Sequence, residues 1–190
     1  MKNTAPPIKI CDRDLLRSIQ SLIENNKRCD DSNFRPLRAK HSGRPNDFVD
    51  VKPLAHSVDE LNDFLEVTVE VNVVDYSNFK FRLTSDQIYF PFFRYDSTGR
   101  SHRNRHIPLG KGDMIPCPHF NTYNQDGYNI AYRTNVIEKQ EQFLQNPEFA
   151  LKHFFIEGNV NSGKNNPKVE LDSKLFSEVP LNPIEGIHFK

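Results

Sequence analysis

The stretch "LEVTVEVNV", residues 65–73, constrains the fold of this chain more than any other segment. It alternates apolar and polar residues without a break, which is the pattern of a β-strand with one buried face. A polar turn follows at residues 75–78, and "FKFRL" then alternates in the same way. The two runs predict a β-hairpin with Phe79, Phe81 and Leu83 facing the core.

The other face of this predicted hairpin is charged. It carries Glu66 and Glu70 on the first strand, and Lys80 and Arg82 on the second. Opposite charges on paired strands contribute about 0.2–1 kcal/mol each and help to fix the register. We therefore interpret these four residues as structural.

Helical periods precede and follow this hairpin. In "RDLLRSIQSLIENN" the apolar residues recur at helical spacing, and either Asp12 or Asp14 can cap the start. The segment "NVIEKQEQFLQNPEFALKHFFIEGNV" predicts two further helical stretches divided at Pro147. Asn146 is expected to cap the second of these, and Gly158 to end it.

Prolines and glycines divide the rest of the chain. Residues 27–54 are polar and interrupted, which predicts a loop-rich region with a short strand at "DFVDV". Basic residues in this region suit either a solvated loop or one side of an anion-binding groove: Arg35, Arg38, Lys40 and Arg44. Two short strands are expected around the turn "NQDG", within "IPCPHFNTY" and "YNIAYRTN".

The aromatic run "QIYFPFFRYD" carries Pro91, which cannot donate to a strand ladder. We therefore expect this run at a sheet edge or at a bulge. An edge strand such as "IYFPFF" could pair with a second copy of the chain and form a homodimer.

Together these segments predict one α+β domain over residues 1–190. We expect an N-terminal helix in 1–26, the loop-rich region in 27–54 and an antiparallel meander of about five to six strands in 55–134. Helices in 135–160 would pack on the sheet, and 161–190 would form an irregular tail.

Composition limits the classes of partner and compartment. Lysine plus arginine and aspartate plus glutamate balance at 25 each, so any binding of nucleic acid must come from a local patch. The apolar runs are shorter than the roughly 20 residues that span a bilayer, and the start lacks a secretory apolar region. Three cysteines without paired spacing fit reduced thiols. We expect a cytoplasmic protein without membrane contact.

The candidate site is "GRSHRNRHIPLGKGDMIPCPHFNTY", residues 99–123, which holds three of the seven histidines. One hypothesis is zinc held by four side chains: His102, His106, Cys117 and His119. Their spacings match no common structural zinc site, so we expect no metal, and no motif predicts a cofactor.

A second hypothesis is metal-independent phosphodiester cleavage, with His102 and His119 as general base and acid. The phosphate would be held by arginines and the bases stacked on tyrosines: Arg94, Arg100, Arg103, Arg105, Arg133, Tyr95, Tyr123 and Tyr132. A third hypothesis is structural: Cys117, His119 and Asn121 share one strand face with Tyr123, and they would tie down the neighbouring loop.

The order "FRYDSTGRSHRN", "IPCPHFNTYNQDGYNIAY" and "FFIEGNV" resembles a family of small, functionally uncharacterised proteins of bacterial and phage genomes. The resemblance covers residues 54–160 and rests on the following positions: Arg94, Asp96, Gly99, His102, Asn104, Pro118, His119, Tyr123, Gly127 and Tyr128. The family often has a second histidine where this chain has Asn121. Asparagine cannot exchange a proton near neutral pH, so this departure favours binding over catalysis.

The resemblance implies a protein of mobile-element type and assigns no reaction. Balanced charge, the Asn121 departure and the lack of a complete catalytic signature favour a non-catalytic binding protein, such as an antitoxin-like protein or a phage-encoded inhibitor of a host protein or nucleic-acid system. The alternative is a metal-independent ribonuclease or toxin that uses His102 and His119. The partner would be a protein, RNA or single-stranded nucleic acid. The candidate binding residues are Arg94, Asp96, Arg100, Arg103, Asn104, Arg105, His106, Asn121, Tyr123 and Arg133.

Overall fold

The computed structural model describes residues 6–41, 43–56, 64–108, 110, 112–163 and 165–171. Its helices are α1 Arg13–Glu24, α2 Asn135–Gln140 and α3 Pro147–Glu157, with a 3₁₀ turn at Phe143–Gln145. Its first seven strands are β1 Lys27–Arg28, β2 Asn33–Phe34, β3 Arg38–His41, β4 Arg44–His56, β5 Leu65–Asn72, β6 Phe79–Ser85 and β7 Phe93–Asp96. The remaining strands are β8 His102–Arg103, β9 Met114–Ile115, β10 His119–Tyr123, β11 Asn129–Tyr132, β12 Val160–Asn161 and β13 Lys168–Val169.

Nine of the described strands form one sheet. Eight follow the order β11-β10-β7-β6-β5-β4-β1-β12. The ninth, β3, pairs with the N-terminal part of β4, on the same edge where β1 pairs with the C-terminal end of β4. All neighbours are antiparallel except β1 and β12. The chain is therefore α+β, as predicted, but the sheet has more strands than the expected five to six.

The core lies between one face of this sheet and the helices. Strands β5 and β6 alternate as predicted, and Phe79, Phe81 and Leu83 are buried. Phe154 of α3 contacts the rings of Phe81 and Phe93, with centroids 5.6 and 5.2 Å apart. This aromatic packing attaches α3 to the sheet.

The predicted ends of the helices are largely confirmed. Asp12 caps α1 by accepting hydrogen bonds from the backbone N–H groups of Asp14 and Leu15. Asn146 caps α3, and Gly158 ends it. The stretch before Pro147 is less helical than expected, because α2 ends at Gln140 and only a 3₁₀ turn follows.

The prediction of a loop-rich region at 27–54 is wrong. Strand β4 alone has 13 residues and pairs with β5 from Asp47 to Leu54. Two prolines lie inside it. Pro53 lies between the segments of β4 that pair with β3 and with β1, so it leaves both of those ladders intact.

The aromatic run around Pro91 is not an edge strand. Strand β7 begins at Phe93, after Pro91, and it lies between β6 and β10 in the middle of the sheet. Ile88, Phe90 and Phe92 are buried in the core. The segment "IYFPFF" therefore offers no free strand edge through which the expected homodimer could form.

The predicted strands around "NQDG" are confirmed as β10 and β11. The tail has two short strands, β12 and β13, and residues 172–190 of the predicted irregular tail lie outside the described residues. None of the described helices is long and apolar enough to cross a bilayer.

Candidate functional site

A row of polar side chains crosses the sheet on the face opposite the core. In the ladder between β7 and β10, His119 lies opposite Asp96, and Asn121 lies opposite Arg94. Because side chains alternate along a strand, these four residues share one face. The intervening Tyr95 and Phe120, and Phe93 before Arg94, are buried in the core.

Asp96 is the centre of this row. Its Oδ2 accepts a hydrogen bond from Nδ2 of Asn121 at 2.8 Å and lies 2.7 Å from Nε of Arg94. The Arg94 N–H is misaligned for a hydrogen bond despite this distance, so the contact is an ion pair only. Oδ1 of Asn121 is buried without a hydrogen-bond partner among the described residues.

His102 and His119 lie close together, although they are far apart in the sequence. Their ring centroids are 6.2 Å apart. His119 is only 2 % exposed, and its Nδ1 lies 3.2 Å from the Pro116 carbonyl oxygen. A buried ring held in this way cannot reach a substrate, whereas the half-buried His102 faces solvent.

Burial sets the charge state of this group. Burial lowers the pKa of His119 despite the Asp96 charge, and burial lowers the pKa of His102 as well. Both rings are therefore neutral at pH 7. Burial also raises the pKa of the Cys117 thiol to about 11, so Cys117 is not a thiolate nucleophile at that pH.

Asn104 fixes the loop that carries His102. Its side chain is buried, donates from Nδ2 to the Ala131 carbonyl at 2.8 Å and accepts at Oδ1 from the Ala131 N–H at 2.7 Å. Asn104 thus pairs with the backbone of β11 on the edge that faces away from β10, where a further strand would otherwise pair. Asn104 is a structural residue, although the sequence placed it among the binding candidates.

The loop, the sheet and the start of the chain enclose a cleft of about 320 Å³, here called the arginine cleft. It is lined by Pro6, Pro7, Ile8, Arg94, Ser101, His102, Arg103, Arg105 and Asn129. No carboxylate is among these described lining residues. Arg105 is exposed and has no ion pair within the described part of the chain.

Several predicted binding residues lie elsewhere. Arg133 is held by Glu138 and Glu141 at 2.7 Å each, and it also donates to the Pro118 carbonyl. Tyr123 is buried, and its hydroxyl donates to the Pro7 carbonyl at 3.1 Å. These contacts make both residues structural.

Arg100 and His106 are exposed outside the arginine cleft. The His106 ring stacks on Tyr128, with centroids 5.8 Å apart. The four proposed zinc ligands are therefore not gathered, and no described group of three or more His, Cys, Asp and Glu side chains could hold a metal ion.

Three of the four basic residues named in 27–54 are paired with carboxylates, and the side chain of the fourth, Arg38, lies outside the described residues. Lys40 and Arg82 contact the buried carboxylate of Glu70 at 2.5 and 2.7 Å, and Arg44 lies 4.0 Å from it. The Arg35 guanidinium pairs with Glu170. Glu70 and Arg82 thus form a structural pair across the hairpin, as expected, although Glu70 is buried rather than solvated.

Sequence reasoning missed one wall of the arginine cleft. Residues 6–11, here called the N-terminal strap, run beside the start of β11, with Lys9 bridged to Tyr128. A Cβ at Gly127 would collide with the Ile10 carbonyl oxygen, so the strap requires glycine at that turn. Only the extended preference of Pro6 and Pro7 hinted at this path.

Comparison with protein-family models, with curated proteins and with solved structures finds no match to this chain.

Proposed function

We propose that this protein is a non-catalytic binding protein, and that the arginine cleft holds an anionic group of its partner. The observation that supports this is the composition of the cleft wall. Arg94, Arg103 and Arg105 line it without a carboxylate among the described residues. Guanidinium groups bind phosphate and carboxylate oxygens through paired hydrogen bonds.

The state of the histidines favours binding over chemistry. General acid–base catalysis requires two groups that reach the reacting atoms. His119 is buried against Pro116 and Asp96, so it can orient its neighbours but cannot contact a substrate. An antitoxin-like protein or a phage-encoded inhibitor would act through binding of this kind.

The second candidate is the metal-independent ribonuclease. The 6.2 Å separation of the His102 and His119 rings is the observation that favours it. In that mechanism His102 would take the 2'-hydroxyl proton, and a movement of the loop would have to expose His119.

Calorimetric titration with inorganic phosphate and with the dinucleotide TpT tests the binding proposal. We expect both to bind, and Arg105→Ala to weaken TpT binding about tenfold or more, because one charge-assisted hydrogen bond contributes about 1.5–3 kcal/mol. Arg28→Ala is the matched control, since β1 is far from β10 in the sheet order. Absence of binding, or equal weakening by both variants, would refute the proposal.

Incubation with total RNA and a chelator tests the ribonuclease. We expect no cleavage. Cleavage by the wild type that disappears in both His102→Ala and His119→Ala would establish the catalytic alternative instead.

A further inference from the structure

We propose that the partner is a single-stranded nucleic acid whose backbone runs from the arginine cleft across the N-terminal strap into a second basic pocket beside α1. This inference rests on the proposed function, because it assigns one phosphate of the strand to the arginine cleft.

The second pocket, here called the helix-side pocket, has a volume of about 540 Å³. It is lined by Lys9, Ile10, Cys11, Arg13, Leu16, Arg17, Gln20, Gln125 and Asp126. Three cations therefore face one carboxylate. Arg17 also pairs with Asp14 at 3.2 Å, but both side chains are exposed, and such pairs are weak.

The two cavities adjoin at consecutive residues of the strap. Ile8 lines the arginine cleft, and Lys9 lines the helix-side pocket. The strap is fixed at this point, because Ile10 donates to the Gly127 carbonyl at 2.8 Å and Asn129 donates to the Ile8 carbonyl at 2.9 Å. A polyanion that leaves the arginine cleft across the strap therefore reaches the cations of the helix-side pocket.

The charge of the arginine cleft suits a phosphodiester. Arg94 is paired with Asp96, and Arg103 lies 3.8 Å from Asp113, which leaves the charge of Arg105 uncompensated. One excess positive charge matches the single charge of a phosphodiester better than the two charges of a terminal phosphate.

An aromatic surface lies beside Lys9 of the strap, outside the lining of both cavities. Nζ of Lys9 is 4.3 Å from the centroid of the Tyr128 ring, and the exposed His106 ring stacks on the same tyrosine. Nucleobases stack on aromatic and guanidinium planes, and only a single strand offers free base faces. An acidic peptide would leave this surface unused, so the strand is the better fit.

The positions of Arg13 and Arg17 also favour a ligand. Arg13 is the first residue of α1, at the positive end of the helix dipole, where a cation is unfavourable. Arg17 lies one turn later on the same face. The charge of Arg13 therefore adds to the positive potential of the helix start, which favours an anion beside it.

The test compares short and long strands by calorimetric titration of the full chain. The probes are TpT and the twelve-nucleotide strands dT12 and rU12, each measured at several salt concentrations. We expect the long strands to bind about tenfold tighter than TpT, because a second site is engaged by the same molecule. The tighter of dT12 and rU12 identifies whether DNA or RNA is preferred.

The double variant Arg13→Ala/Arg17→Ala should remove most of this gain and leave the Arg105-dependent component of TpT binding unchanged. Each lost phosphate contact should reduce the salt slope of a long strand by about 0.7. Arg28→Ala again serves as the matched control. All three arginines are exposed, so circular dichroism should show intact folding.

The outcomes separate the two proposals. Absence of TpT and phosphate binding would refute the proposed function itself. Arg105-dependent TpT binding without a gain for long strands, or with a gain that survives in the double variant, would refute only this inference. Equal binding of an eleven-residue polyglutamate, or tighter binding of a duplex, would also overturn it.

Discussion

Replacing Asn104 with alanine tests whether the outer edge of the sheet holds the loop that carries the cleft arginines. The wild-type side chain makes two hydrogen bonds to the backbone of Ala131, at 2.8 and 2.7 Å. Alanine removes both bonds and leaves the N–H and C=O groups of Ala131 without these partners. Asn104 is 5 % exposed, so water reaches the site poorly.

The expected cost follows from these two bonds. A buried backbone group left without a partner costs about 1–3 kcal/mol, and partial entry of water reduces the sum. We therefore expect a loss of about 2–4 kcal/mol, which is a factor of about 30 or more in the equilibrium for opening the loop.

Hydrogen exchange at the Ala131 amide measures this opening directly, and urea unfolding measures the global effect. Exchange should accelerate about 30-fold or more, and TpT binding should weaken although every arginine is retained. Asn135→Ala, an exposed asparagine at the start of α2, is the control. Unchanged exchange at Ala131 together with unchanged TpT affinity would refute the role of Asn104.

Three further predictions concern stability. Glu70→Gln leaves the partly buried Lys40 and Arg82 without their carboxylate and should lower the free energy of unfolding in urea by about 2–4 kcal/mol, whereas Glu66→Gln on the same strand should change it by less than about 1 kcal/mol. The pKa of His119 is lowered from 6.5 in the folded state, so the unfolded chain binds more protons as the pH is lowered below that value, and the folded state should lose stability. His119→Gln should reduce this dependence of the melting temperature on pH. An unchanged slope would contradict the prediction. Gly127→Ala should displace Ile10 and increase proteolysis of the N-terminal strap, and wild-type resistance to cleavage would show that the collision is relieved locally.

The sequence predicted those elements whose pattern is local. The alternation in residues 65–83 fixed which side chains of the hairpin are buried, and the cap residues fixed the start of α1 and of α3. Residues 27–54 were misread because prolines were taken as ends of strands. A proline can lie within a strand such as β4 where it leaves the neighbouring ladders intact.

The sequence predicted which residue types are candidates for the site, but not which of them the fold brings together. The sequence named Arg94, Arg103, Arg105 and Arg133 as equivalent candidates. The structure places the first three in the arginine cleft, whereas Arg133 is paired with two carboxylates. Whether an arginine is free or paired depends on contacts between distant segments. The contribution of the N-terminal strap is of the same kind, since its register against β11 has no local pattern.

The contacts that shape the arginine cleft also cover the terminal strand of the sheet. Strand β11 ends the sheet, and an uncovered terminal strand is a template for aggregation. The N-terminal strap covers one end of it, and Asn104 occupies the backbone groups of Ala131 further along. We therefore expect a change that loosens the cleft also to open the edge of β11 to pairing with a second chain.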